Sequence, residues 1–309
     1  MSGSGKYEYT LSEKQIQEIF DGYVRPLTFR HSECAPNPVT VLVGAQPAAG
    51  KTQGQKYARA LYDTELTPII GDDFRKYHPD YRHALLDDPT EMPDVTKQLS
   101  ARLVEKCIEY SNENGYSSII EGTWRDDSVV LDTAREARRH GRSVQLVALA
   151  TKPSLSRIGM CSRYYDAVSA GKSARWTPIS AHETVLGNID GNIESFASSD
   201  LFDRYTVIDR AGSVIYDGTD GKAWHDAWRK EFTAPLTAEE QRFVDACSAR
   251  RRIHARARER GRFHPVRRPY WGRRSSHLRR AVHAKREISE RLFSPRSDAS
   301  EMIPFDVAD

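Results

Sequence analysis

Apolar positions along the chain follow two alternating periods, and the alternation predicts an α/β fold. Residues 11–24 place Leu11, Ile16, Ile19, Phe20 and Tyr23 near helical spacing, with Ser12 three positions before Gln15 as a capping pair. Residues 39–43 are continuously apolar and β-branched, as in a strand buried on both faces. Further strands are predicted at 68–71, which is short, and at 116–120 and 143–150. Helical patterns start at 51 and cover 91–113, where Leu99, Leu103, Cys107 and Tyr110 recur, then 128–140, the stretch through 156–165, 178–198 and 237–256. Strands alternating with helices imply parallel strands joined by right-handed crossovers. Residues 205–209 and 213–217, around Arg210-Ala211-Gly212, read as a hairpin at the sheet edge.

The stretch after the 39–43 strand carries the first chemistry. It reads Gly44-Ala45-Gln46-Pro47-Ala48-Ala49-Gly50-Lys51-Thr52, a turn of small residues leading into a helix, the layout of a P-loop. Backbone N–H groups converge on a phosphate only where side chains leave room, and Gly50 accepts dihedrals that other residues resist. Lys51 would neutralise the β- and γ-phosphates of ATP, and the Thr52 hydroxyl would ligate Mg²⁺. The strict pattern has glycine where Ala45 stands. Alanine is tolerable there unless the position needs a positive φ.

Further candidates sit at the C-terminal ends of predicted strands, the edge where open α/β sheets gather ligands. The second strand delivers Asp72-Asp73-Phe74-Arg75, and the third delivers Glu121-Gly122-Thr123-Trp124-Arg125. Helix capping is the ordinary job of an aspartate such as Asp72 or Asp73, and Glu105, one turn from Arg102, has a surface ion pair as its ordinary reading. Arg163 and Arg175 flank a Gly-containing segment, an arrangement suited to a lid that closes fixed charge over phosphates. His182 and the other nine histidines lack metal spacing and read as surface or packing residues.

Composition changes this picture at the C-terminus. The net charge of +3 conceals 17 basic and 3 acidic residues within 250–296, so a mildly acidic body, 1–249, carries a basic extension, 250–309. Residues 261–272 are poor in aliphatics and broken by Gly and Pro, and are expected to be mobile in isolation. The arginines there could hold a nucleic-acid backbone while Phe263, Tyr270 and Trp271 stack on bases; a solvated arm, packed on the acidic body or meeting an acidic partner, is the favoured alternative. No signal-like opening or long apolar run is present, which points to the cytoplasm and away from membranes. Cys34, Cys107, Cys161 and Cys247 are widely spaced and read as reduced thiols.

Between about Thr40 and Asp217 these positions resemble the zeta toxin family of bacterial toxin–antitoxin systems, P-loop kinases that phosphorylate a sugar hydroxyl of UDP-N-acetylglucosamine. Gly44 to Thr52 is similar to the family P-loop, in which glycine usually replaces Ala45 and often Ala48. Asp72-Asp73-Phe74-Arg75 with His78-Pro79 resembles the segment whose first Asp is the catalytic base. Glu121-Gly-Thr123-x-Arg125 resembles a signature lining the sugar-nucleotide pocket. The resemblance implies acceptor contacts at Glu105 and Thr133, phosphate contacts at Arg163 and Arg175, ATP and Mg²⁺ as cofactors, and an antitoxin partner. The implied fold is a P-loop NTPase/kinase-like parallel sheet flanked by helices. A P-loop kinase of another acceptor, NAD or a nucleic-acid hydroxyl held by the basic tail, is the alternative.

Overall fold

The computed structural model describes residues 6–169 and 177–259. Two short helices, α1 (Glu13–Ile19) and α2 (Arg25–Thr28), are joined by a π-helical turn and lead to strand β1 (Val39–Gly44). Then follow α3 (Lys51–Leu61), β2 (Thr67–Ile70), α4 (Gly71–Phe74), α5 (Tyr81–Asp87), α6 (Met92–Glu113), β3 (Ser118–Gly122), α7 (Asp127–Arg139), β4 (Ser143–Leu149) and α8 (Pro153–Ser169). The remainder is α9 (Ile179–Ala197), β5 (Arg204–Ile208), β6 (Val214–Gly218), α10 (Gly221–Thr233) and α11 (Ala238–Glu259).

The strands form one six-stranded sheet in the order β2-β3-β1-β4-β5-β6. The first five neighbours pair in parallel and β6 closes the edge antiparallel to β5, the hairpin read from the sequence. Because successive residues of a strand face opposite sides, β1 supplies two cores. Val41 and Val43 pack with Val147, Leu149 and Ala58 of α3. Leu42 packs on the opposite face with Leu146 and Val207, beneath α7, α9 and α10. A third cluster joins Ile16, Phe20 and Val24 to Leu99, Leu103 and Cys107 of α6, so the N-terminal segment covers the β2 edge.

The Ser12–Gln15 capping box forms as the sequence predicts, with the Gln15 N–H donating to Ser12 Oγ at 3.3 Å and Ser12 N–H to Gln15 Oε1 at 2.8 Å. Two of the boundary shifts bear on the site. β2 ends at Ile70, so Gly71 opens α4 rather than closing the strand, and β3 extends through Gly122, so Glu121 lies inside the strand. α10 is absent from the elements read in the sequence. It is capped by Asp220, whose side chain accepts from Ala223 N–H at 3.0 Å, and is anchored by two buried tryptophans. Trp224 Nε1 donates to the Thr206 carbonyl at 2.9 Å and Trp228 Nε1 to Leu149 at 3.2 Å.

α11 runs through residue 249, where the sequence places the end of the body. Its acidic first turn seats Glu240 on the buried Lys152 ammonium at 2.6 Å, and Cys247 is buried beside Ser162 of α8. The described residues all fall within one compact unit. Residues 260–309, including the 261–272 arm, lie outside the described residues. No helix among the described residues is long and apolar enough to cross a membrane.

Candidate active site

The turn between β1 and α3 is built from small residues and braced from behind. Gly44 ends β1 directly under the indole of Trp124: a Cβ there would lie 1.9 Å from ring atoms. Ala45, Gln46 and Ala49 are buried. Gln46 does not face a ligand; its Nε2 donates to the Thr151 carbonyl at 2.6 Å and to Ser156 Oγ at 3.2 Å. Thr151 Oγ1 returns a bond to the Ala49 carbonyl at 2.7 Å, and Ala49 N–H closes the turn on Gln46 at 3.2 Å. Ala48 holds φ at 60°, and Gly50, at φ 97°, caps α3 without a side-chain bond. The first N–H groups of α3 therefore face the loop opening without a side-chain cap, the arrangement that attracts an anion to a helix N-terminus.

Lys51, the first residue of α3, is largely buried. Its ammonium donates to the Ala45 carbonyl at 3.3 Å and lies 3.7 Å from Glu121 Oε1. Burial lowers its pKa from the usual lysine value, although Glu121 and Asp72 act in the opposite direction. Gln55 Nε2 holds the other oxygen of Glu121 at 2.5 Å, so the carboxylate is fixed between an amide and a cation. Thr52 is exposed at the second position of the helix.

Asp72 follows immediately from the end of β2, in the first turn of α4, with its side chain half-exposed. Arg75, one turn later, reaches it at 3.0 Å through Nε while Nη1 bonds the Pro93 carbonyl at 2.9 Å and Thr96 Oγ1 at 2.8 Å. Arg75 thereby ties the candidate base to the start of α6. On the β3 side, Trp124 takes a left-handed φ of 52° and is 4 % exposed, wedged against Phe196 and Trp224. α9 fixes the bent segment: Asn192 Nδ2 donates to the Trp124 carbonyl at 2.8 Å and Asn188 Nδ2 to that of Arg125 at 3.1 Å. A non-glycine residue in this conformation persists only when its surroundings hold it. The consequence is that Thr123 and Arg125, on either side of Trp124, both border the cleft.

That cleft encloses about 490 Å³, and Pro47, Ala48, Lys51, Asp72, Glu121, Thr123, Arg125 and Arg163 all line it. Residues from the P-loop, β2, β3 and α8 thus converge on one space. Arg175 lies outside the described residues. Glu105 and Thr133, expected at the acceptor, are placed elsewhere: they border a second groove of about 430 Å³ between α6 and α7. The reason is the length of α6. Lys97, Ser100 and Ala101 face the cleft, and Glu105 stands one turn beyond them on the same stripe, paired with Arg102. Thr133 Oγ1 bonds back to the Val129 carbonyl at 2.7 Å.

Several participants escape the sequence reading. Lys97 lines the cleft from a surface-looking helix position, and Arg75 stood in a quoted motif without a role. Thr151, Ser156 and Arg210 brace the P-loop from segments with no motif, and Ser156 in turn lies 2.9 Å from Nε2 of the buried His182. For Thr151 and Arg210 the only signal available was topological, since they lie just beyond the C-terminal ends of β4 and β5.

Among the described residues no group of three or more His, Cys, Asp or Glu is arranged to hold a metal. The donors near the P-loop are the Thr52 hydroxyl and the carboxylates of Asp72 and Glu121, hard oxygen ligands of the type that suits Mg²⁺ shared with phosphates and water.

The zeta toxin family model matches residues 28–220, which span β1 to β6 and every described candidate above. The chain belongs to the zeta toxin family. Among family relatives, the toxin PezT of Streptococcus pneumoniae is 29% identical over 211 residues, covering 68% of this chain and 82% of that protein. Toxin zeta of Streptococcus agalactiae is 26% identical over 206 residues, 66% of this chain and 71% of that protein. A solved structure from the PezAT chromosomal toxin–antitoxin system of S. pneumoniae superposes with a TM-score of 0.68 at 22% identity, covering 79% of this chain and 97% of that one. The shared architecture is the family fold, and α11 follows the segment that the family model matches.

Proposed function

We propose that the chain is an ATP-dependent kinase that transfers the γ-phosphoryl group to a hydroxyl of UDP-N-acetylglucosamine, withdrawing a cell-wall precursor. The observation that carries this reading is the single cleft in which Lys51 and Arg163 face Asp72, Thr123 and Arg125. Phosphoryl transfer asks little covalent chemistry of a protein; alignment and neutralisation of oxygens supply the acceleration. Lys51 and Arg163, joined by Arg175, neutralise the transferring group. Asp72 accepts the proton of the acceptor hydroxyl as its oxygen bonds to the γ-phosphorus, and the bond to the β,γ-bridging oxygen breaks to release ADP.

Arg75 holds one oxygen of Asp72, which fixes the plane of the carboxylate. Thr123 and Arg125 orient the acceptor, and Glu121 keeps the Lys51 ammonium directed at the phosphates. Thr52, with Asp72 and Glu121 nearby, would hold Mg²⁺, which when bound draws charge from the phosphate oxygens. The groove starting at Glu105 and Thr133 continues the α6 stripe, and the far end of a long acceptor would rest there. The PezAT neighbour comes from a toxin–antitoxin system, and we extend to this chain an antitoxin partner that restrains the toxin.

The direct test is incubation with Mg·ATP and a panel of UDP-sugars, NAD and 5′-hydroxyl RNA, read by mass spectrometry. Phosphorylated UDP-N-acetylglucosamine is the expected product. Phosphorylation of NAD or RNA with the UDP-sugars untouched contradicts the proposed acceptor.

A further inference from the structure

Ala48 is the one residue of the phosphate-binding turn that takes a left-handed conformation without being glycine. That conformation is unfavourable for an L-residue, so something must hold it. The holder is visible. Arg210, at the end of β5, extends its guanidinium beneath the turn, and Nη1 donates to the Ala48 carbonyl at 2.7 Å. Ala48 lines the cleft, and Arg210 is not among the residues that line it.

Three features are shaped around this grip. The β5–β6 turn is fixed by Asp209, whose Oδ1 accepts from the N–H groups of Gly212 and Ser213, both at 2.8 Å. On α8, Gly159 leaves the room: a Cβ there would stand 3.2 Å from Arg210 Nη2 and 3.5 Å from the Ala48 carbonyl. On α11, the ring of Phe243 lies under the guanidinium, 5.6 Å from its centre. Burial lowers the pKa of Arg210, with Glu240 of α11 opposing the shift. The guanidinium is partly buried, its hydrogen-bond partner is a backbone carbonyl, and no carboxylate is in salt-bridge contact with it among the described residues, so the water it gives up is exchanged for its hold on that carbonyl.

We propose that Arg210 is a positioning residue for nucleotide binding: it clamps the Ala48 peptide in the left-handed form that shapes the phosphate-binding turn, and Phe243 of the C-terminal helix α11 seats the clamp. The inference rests on the ATP-binding reading above. It assigns α11, beyond the matched family segment, a part in the nucleotide site.

A double-mutant cycle measures it. Mg·ATP binding to the full chain is followed by isothermal titration for wild type, Arg210→Met, Ala48→Gly and the double variant, with thermal melting of each. Arg210→Met is expected to weaken Mg·ATP at least tenfold. In the Ala48→Gly background the same change is expected to cost less than threefold, because glycine adopts positive φ without a clamp. Phe243→Ala, at a half-exposed position, is expected to weaken Mg·ATP several-fold with little change in melting, and Arg210→Lys to recover part of the loss. In turnover, the KM for ATP should rise while that for the acceptor stays constant. Equal fold-losses in the two backgrounds would mean that Arg210 acts on the nucleotide or the fold directly, and would overturn the clamp. Wild-type affinity in both Arg210→Met and Phe243→Ala would also overturn it. Failure of the wild-type chain itself to bind Mg·ATP would instead remove the nucleotide reading, and this inference with it.

Discussion

Ala45 and Ala48 are the two positions at which the phosphate-binding turn departs from the glycines of its family pattern, and the structure separates them. Ala45 is buried but not in the left-handed region, so its Cβ costs nothing in backbone energy; Ala48 carries the positive φ. Sequence reasoning named the correct condition for trouble and applied it to the wrong alanine, because φ is set by how the turn meets Thr151 and Arg210, neither of which the motif contains. Ala48→Gly should therefore raise stability by about 1 kcal/mol, the left-handed cost less the added freedom of the unfolded chain. Thermal melting checks this, and a lower melting temperature would show that Ala48 is not strained. Lys51→Ala should leave melting close to wild type but abolish ATP turnover, since it removes the cation shared by ground and transition states. Retained turnover would remove Lys51 from the site.

Elements carry the next level of explanation. β1, the turn and α3 were legible because a β-branched run, small residues and Gly-Lys-Thr occur in order. The Glu121-to-Arg125 segment was legible as chemistry but not as geometry: nothing local announces that Trp124 folds back over Gly44. Gly44→Val would drive a branched side chain into the indole, where about 1–3 kcal/mol is the ordinary cost of overpacking and more is expected at so close an approach. Melting should fall and Thr123 and Arg125 should leave the cleft, with activity lost. A well-folded, active Gly44→Val chain would contradict the packing described. α10 was missed for a related reason, as was the docking of α11, a helix that the sequence did show. Their anchors, Trp224, Trp228 and Cys247, read as isolated apolar residues until the sheet edge they cover is known. A chain ending at residue 265 should keep the melting temperature and kinase activity of the full chain. One ending at 236 should lose several degrees with the Lys152–Glu240 and Cys247 contacts, and equal stability of the two would mean α11 is not docked.

At the scale of the whole molecule, order along the chain revealed the fold class, while distances through space decided the site. Asp72, Glu121, Thr123, Arg125 and Arg163 converge because parallel strands deliver their C-terminal ends to one edge, a consequence of topology that the strand-helix rhythm already implied. Glu105 and Thr133 diverge because a 22-residue α6 is longer than the cleft it borders. Global stability also carries a pH signature. Burial lowers the pKa of both His78 and His182 from the ordinary value of 6.5. Each is therefore neutral in the fold at pH values where the unfolded chain binds its proton. Unfolding takes up protons, and stability falls as pH drops from about 7 through 6.5 toward the lowered folded values. His182→Gln should flatten this slope in melting measured between about pH 7 and 5. A slope of opposite sign, or one unaffected by either histidine, would contradict the burial assigned to them.

The central claim is that Asp72 at the end of β2 takes the proton while the P-loop cleft transfers phosphate. Time-resolved ³¹P NMR of Mg·ATP and UDP-N-acetylglucosamine, with wild type, Asp72→Asn and Asp73→Asn at saturating substrates, tests it most directly. Wild type and Asp73→Asn should convert the γ-phosphate resonance into a sugar-phosphate resonance. Asp72→Asn should do so about 10²–10⁴-fold more slowly, the usual worth of a positioned base. Conversion by Asp72→Asn at the wild-type rate, or γ-phosphate appearing only as inorganic phosphate in every sample, would contradict the account.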